Sequence, residues 1–175
     1  MYNIALTRFN TSTWNELTKW KDNHMNIKYK NIDHKNSIIN KSDFCIYNTP
    51  VKIKDSVKIN SPIFVIEMHN DYNLIMGIGF IHNTTFNKKY NIYNSGNYNR
   101  YSYNGIHRID RNLFNEREII IIDILETLLF KGSRHSKRGQ GINMIPNWIL
   151  KNKYINFINI FNEMFISRNY ILNKI

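Results

Sequence analysis

Cysteine is almost missing from this chain: Cys45 stands alone among 175 residues. A single thiol excludes an internal disulfide and any cysteine-based zinc site, which points to a reducing, intracellular compartment. Cys45 itself reads as a small buried hydrophobe in a strand. Long hydrophobic runs are missing too. The most apolar stretch, Ile119 to Phe130, is broken by Asp123 and Glu126 and is far shorter than the roughly 20 residues a membrane span needs. Met1 to Asn10 has no apolar core and carries Arg8, so no secretory signal is expected. No Walker A loop, Gly-x-Ser-x-Gly elbow or His-Glu-x-x-His helix is present, and no catalytic residue, cofactor or resident metal is assigned.

Acidic residues are scarce as well. Thirteen Asp and Glu face twenty-four Lys and Arg, for a formal net charge of +11. Such a balance attracts polyanions: DNA, RNA or an anionic membrane surface. The chain is also rich in Asn, Ile, Lys and Tyr, all encoded by AT-rich codons, and it has 16 Lys to 8 Arg. Codon usage therefore accounts for part of the charge, and the positions of the arginines carry more information than the total.

A hydrophobic share of 42% over this length is enough to bury a core. The pattern is that of one α+β domain over residues 1–175. Tyr2 to Leu6 reads as a strand. Thr13 to Glu16 matches a capping box for a helix reaching about Asp22. Residues 23–41, polar and irregular, read as a long loop or a poorly ordered insertion. Short β-like runs follow at Phe44 to Tyr47 and Val51 to Lys54. Pro62 to Met68 and Leu74 to Ile81 form a hairpin with a turn-rich linker, with Gly77 and Gly79 marking a bulge or a close approach of another backbone. Asn104-Gly105 has the composition of a two-residue hairpin turn, which would put Tyr101, Tyr103, Ile106 and Arg108 on one face. A helix capped by Asn115, with Glu118 three residues on, carries the stripe Ile121, Ile124, Leu125 and Leu128 and stops at Gly132. Residues 147–175 form a C-terminal helical segment, with a helix over about Tyr154 to Ser167 presenting Ile155, Ile158, Phe161 and Phe165. The expected architecture is a small, twisted, barrel-like, mostly antiparallel sheet with flanking helices.

The strongest chemical signal is Lys131-Gly132-Ser133-Arg134-His135-Ser136-Lys137-Arg138-Gly139-Gln140-Gly141. Glycines let backbone amides approach an anion, arginine offers a planar fork for phosphate, and the two serines add hydroxyl donors. Lys131, Arg134, His135, Lys137 and Arg138 are the candidate phosphate ligands; the alternative is a solvated basic linker. Arg100, Tyr101 and Arg108 form a second candidate nucleic-acid surface, where tyrosines could stack bases unless they belong to the core. Glu67, His69, Asp71 and His82 have the donor chemistry of a divalent metal site, but Asp71 falls in the turn and no metal site is assigned. Trp14 and Trp20 read as core, with an aromatic pocket for a modified base as the alternative.

Phe64 to Met68, Ile75 to Gly79, Asn97 to Tyr101 and Lys131 to Pro146 resemble an uncharacterised protein family of large DNA viruses, of the giant-virus and poxvirus kind. The resemblance implies a viral protein acting in the host cytoplasm, a viral factory or a virion. Strand, helix and then several strands of a small barrel also resemble PUA-like domains, including EVE and YTH modules, which bind RNA or modified bases. Three functions follow as expectations. The first is a non-enzymatic nucleic-acid-binding protein; the second is a structural or assembly protein binding an acidic viral or host partner or packaged genome. The third is a nucleic-acid-processing enzyme. DNA or RNA preference and oligomeric state are left open.

Overall fold

The computed structural model describes residues 2–29 and 44–170. The elements are β1 (Asn3–Phe9), α1 (Thr11–Tyr29), β2 (Cys45–Thr49), β3 (Pro62–His69), β4 (Leu74–His82), β5 (Tyr101–Gly105), β6 (His107–Asp110), α2 (Glu116–Phe130), β7 (Asn143–Met144), α3 (Asn147–Leu150) and α4 (Phe157–Ile166). Five strands form a mixed sheet in the order β6-β4-β3-β1-β7, with β1 and β3 parallel and the remaining neighbours antiparallel. β2 and β5 form a separate antiparallel pair.

Both faces of the large sheet are covered. This explains why β3, Pro-Ile-Phe-Val-Ile-Glu-Met-His, is almost uninterruptedly apolar rather than alternating. Phe64, Ile66 and Met68 point to a core shared with Ile122, Leu125 and Leu129 of α2 and Phe161 and Phe165 of α4. Ile63 and Val65 point the other way, to a core shared with Leu17 and Trp20 of α1 and Ile46, Tyr47 and Tyr103 of the two-stranded sheet. Cys45 is buried there, as expected for a small apolar residue.

The α+β class expected from the sequence holds, and most strand pairs are antiparallel, but the sheet does not close into a barrel. The chain itself explains this. β5 and β6 are consecutive, yet β5 pairs with β2 and β6 with β4. Asn104-Gly105 is therefore not a hairpin turn. Neither residue adopts the positive φ that a type I′ turn requires. A side chain on Gly105 would run into the Phe80 carbonyl, so this glycine lets the chain pass close to β4 as it changes sheets. The expected shared face dissolves as well: Tyr103 and Arg108 are buried, whereas Ile106 is exposed.

Other boundaries shift for local reasons. The cap of α1 is Asn10, whose Oδ1 accepts from Thr13 N at 2.8 Å while Thr13 Oγ1 accepts from Asn10 N at 3.1 Å. Asp71 reinforces that start, accepting from both Thr11 N (2.8 Å) and Thr11 Oγ1 (2.7 Å). The helix continues to Tyr29, so residues 23–29 of the expected loop are helical and the rest lies outside the described residues. Val51 to Lys54 is not a strand. The Asn115–Glu118 capping box of α2 is present in both directions. Its inward stripe is Ile122, Leu125 and Leu129, with Ile121, Ile124 and Leu128 packed at the flank. α4 is shorter than expected, starting at Phe157 behind an Asn156 cap.

Candidate nucleic-acid interface

The basic loop begins where α2 ends. Gly132, at φ +75°, takes the left-handed conformation that follows the helix. Ser136 N then donates back to Leu129 O at 2.6 Å, folding the loop onto its own helix. A strand and a turn hold it further. From β1, Arg8 donates through Nε to Ser136 O (2.5 Å) and through Nη1 to Asn143 Oδ1 (2.7 Å). From the β3–β4 turn, Asn70 Nδ2 donates to Lys137 O (2.8 Å), and Lys137 Nζ donates to Asn73 Oδ1 (2.7 Å). Gly139 sits at φ +134°, where a Cβ would lie 2.6 Å from Asn143 Oδ1 and 3.1 Å from Arg8 Nη1. The glycine is thus needed by the clamp, for both conformation and space.

This clamp fixes the backbone while the charges stay outside. Lys131, Arg134, His135 and Arg138 are exposed, and Lys137 is half-buried against a neutral amide. Ser136 points inward, so its contribution is the carbonyl that holds Arg8 rather than a hydroxyl offered to a ligand. Among the described residues, the ion pairs join Arg108 to Glu67 and Asp110, Arg111 to Glu126, and Arg168 to Glu118; none reaches the loop. Burial without a carboxylate pulls the Arg8 guanidinium down to about 10, so the cation under the loop also lacks a neutralising charge.

The sequence reading missed two neighbours of the loop. Trp148, at the start of α3, is 39% exposed and lies under the Arg134 guanidinium, 6.0 Å from ring centroid to Cζ. It gave no sequence signal, because α3 is a single turn too short to show a period. Arg8 did give one: it is the only charged residue in β1, a strand that is otherwise almost entirely buried.

Arg100 and Tyr101 form a second patch, at the start of β5. Arg100 is exposed, and the Tyr101 ring has two cations nearby, with Lys52 Nζ at 5.5 Å and Arg100 Cζ at 5.9 Å from its centroid. A surface hollow whose lining includes Val51, Lys52, Lys54, Asp55, Arg100 and Tyr101 opens beside it. The patches touch. A Cβ on Gly141 would be 3.2 Å from Val51 Cγ2 and 3.4 Å from Thr49 Cβ, so the basic loop ends against the segment that leads to Lys52.

Arg108 does not belong to either patch. It is buried and bonded to Glu67 through Nε (2.9 and 3.1 Å) and Nη2 (2.7 Å), to Asp110 through Nη1 (2.7 Å), and to Met76 O (3.2 Å). A fully buried guanidinium must take its partners from the interior, and a polyanion at the surface cannot reach it. Tyr47 Oη donates to the same Glu67 carboxylate at 2.8 Å. Burial pushes the Glu67 carboxyl up. The charge and hydrogen bonds of Arg108, the charge of Lys21 and the Tyr47 hydroxyl together bring it below the usual carboxylate value. Burial also drives the Cys45 thiol up to about 11 and lowers the Lys21 ammonium against the pull of Glu67. A buried carboxylate held ionised by arginine is poorly suited to accept a proton in catalysis.

The four possible metal donors do not converge. Glu67 is bonded to Arg108 and Tyr47, Asp71 caps α1, and His82 lies at the opposite end of the β3–β4 hairpin from His69. Among the described residues no group of three His, Cys, Asp or Glu could hold a metal ion. Trp14 packs edge-on against Phe9 (5.1 Å) and His69 (6.2 Å), and Trp20 stacks on His24 (4.5 Å), so both serve packing. Among the described residues no helix is long and apolar enough to cross a membrane. Comparison with protein-family models, curated proteins and solved structures finds no match to this chain.

Proposed function

We propose that this protein binds nucleic acid without catalysing its conversion, using the 131–141 loop to hold backbone phosphates. One observation carries the reading: exposed Lys131, Arg134, His135 and Arg138 share a loop whose backbone is clamped from β1 and the β3–β4 turn, and no described carboxylate neutralises them. A clamped cationic loop keeps its charges together, so little ordering entropy is lost when an anion binds. Phosphate contacts of this kind position a ligand and do not read its sequence. Recognition of RNA or of a modified base, the likeness to PUA-like modules and a viral origin belong to the same proposal. The supporting architecture is a first strand and helix followed by several strands.

The test is a salt titration. Replacing Arg134, Lys137 and Arg138 together by Ala should weaken oligonucleotide binding and flatten the dependence of log K on log salt by about 2 to 3 units, one per lost phosphate contact. An affinity and slope identical to those of the unmodified protein would refute the reading.

A further inference from the structure

We propose that the ligand is a single strand that runs along a track from Trp148, past Gly141, to Tyr101, with a base stacked at each end. The proposal rests on the phosphate-binding role of the loop and specifies the class of nucleic acid it takes. Its basis is the placement of two aromatic rings. Trp148 is partly exposed directly beside Arg134. Tyr101 is half-buried, with Lys52 and Arg100 near its ring and the hollow lined by Val51 and Lys54 alongside. Each ring thus pairs a π-face with a cation, which is the arrangement single-strand binders use to hold a base and its phosphate together.

The loop itself links the two ends. The loop runs from Arg134 through Arg138 to Gly141, and Gly141 packs on Thr49 and Val51, one residue from Lys52. Along it the cations are Arg134, Lys137, Arg138, Lys52, Lys54 and Arg100, against Asp55 in the hollow and Asp71, which feels the charge of Lys137. A duplex satisfies the phosphate contacts but keeps its bases stacked on one another, so it offers neither ring a partner. A single strand can turn its bases out onto both.

The experiment compares an oligothymidylate and an oligouridylate of about 12 nucleotides with a duplex of matched charge, at one salt concentration. The single strands should bind at least about tenfold more tightly, and Trp148→Leu and Tyr101→Leu should each weaken them about tenfold. Trp148 emission should be quenched on binding, and the quench should vanish in Trp148→Leu. Because Tyr101 is half-buried, Lys52→Ala and Arg100→Ala serve as the second probe of that end and should weaken the same ligands. Equal affinity for single strand and duplex, with the aromatic variants unaffected, would overturn the track while loop dependence survived. If the triple loop variant also bound normally, the phosphate-binding reading itself would fall.

Discussion

Arg108 on β6 reaches across β4 to Glu67 on β3, and their closest atoms, Nη2 and Oε2, are 2.7 Å apart. The intervening strand has no side chain at the crossing. Gly77 lies opposite both Glu67 and Asp110, and Gly79 lies opposite Arg108. A Cβ on Gly77 would be 2.7 Å from Arg108 Nη2, and one on Gly79 would overlap the Tyr47 hydroxyl. The two glycines therefore make a slot for a buried polar cluster. Gly77→Ala and Gly79→Ala should each lower stability by about 1–3 kcal/mol through overpacking. Glu67→Gln should cost about 3 kcal/mol or more, since it leaves a buried guanidinium short of charge. Urea midpoints at neutral pH check all three, and a Gly79→Ala variant as stable as the parent would refute the slot.

Acid should weaken the fold in two stages. His69 is fully buried, its ring nitrogens have no hydrogen-bond partner, and Tyr72 stacks on it at 4.2 Å. Burial lowers its pKa from 6.5 despite the nearby Asp71 carboxylate. The unfolded chain then binds a proton before the folded one, so the contribution of His69 is complete above 6.5 and lost as the pH falls below it. Glu67 is also depressed, from 4.5, so its contribution is lost lower, as the pH falls through its folded value. His69→Phe should flatten the upper stage and be neutral or stabilising near pH 6, because it removes an unpartnered polar group while keeping a ring. Unfolding free energy measured from pH 7 down to about pH 3 is the readout, so that the Glu67 stage below 4.5 is entered. An unchanged slope between pH 6.5 and 5 would show that His69 is not its source.

The change of sheet at residues 104–106 has its own signature. With no positive φ at Asn104, the side chain is not required for a turn, and Asn104→Ala should shift stability by no more than about 0.5 kcal/mol. Gly105→Ala pushes a methyl group into the Phe80 carbonyl and should cost about 2 kcal/mol or more. Thermal melts separate this arrangement from a hairpin, in which Asn104→Ala would also be costly because the new Ala would have to hold a positive φ.

What the sequence disclosed depended on whether the signal was local. The Asn115–Glu118 box fixed the start of α2 because capping is settled within four residues. The β3–β4 hairpin was legible for the same reason, its apolar runs flanking a polar turn in which Asn73 takes φ +56°. Asn104-Gly105 misled because its partners are set by distant strands: β2 captures β5 and β4 captures β6. Arg108 misled likewise, since nothing near it in sequence announces Glu67, 41 residues away. The loop was visible as composition, but its clamp was not, because Arg8 lies 128 residues from Ser136. Gly77 and Gly79 were read as marking a bulge or a close approach of another backbone, and Gly77 shows both: the β3–β4 register shifts beside it, between Glu67 and Met68, and a Cβ there would lie 2.8 Å from Ile109 O. The Arg108 guanidinium and the Tyr47 hydroxyl, which also crowd the two glycines, were not foreseen.

That clamp supplies the last prediction. Arg8 contributes no charge to the exposed face of the loop, yet its fork spans Ser136 O and Asn143 Oδ1 and so ties the loop to β1 and β7. Arg8→Met keeps the apolar stem and removes the fork, leaving both acceptors unpartnered, at a cost of about 1–3 kcal/mol. The cations of residues 131–141 remain, so a role limited to bulk charge predicts almost unchanged binding. If the clamp preorganises the loop, affinity for an oligonucleotide should fall severalfold while the salt slope stays close to that of the parent, because the same phosphates are contacted by a less ordered loop. Limited proteolysis after Lys137 and Arg138 should accelerate in parallel. Arg8→Lys should recover only part of the effect, because one ammonium lacks the planar fork that serves both acceptors. Retained affinity and unchanged cleavage in Arg8→Met would show that the loop holds its shape without β1.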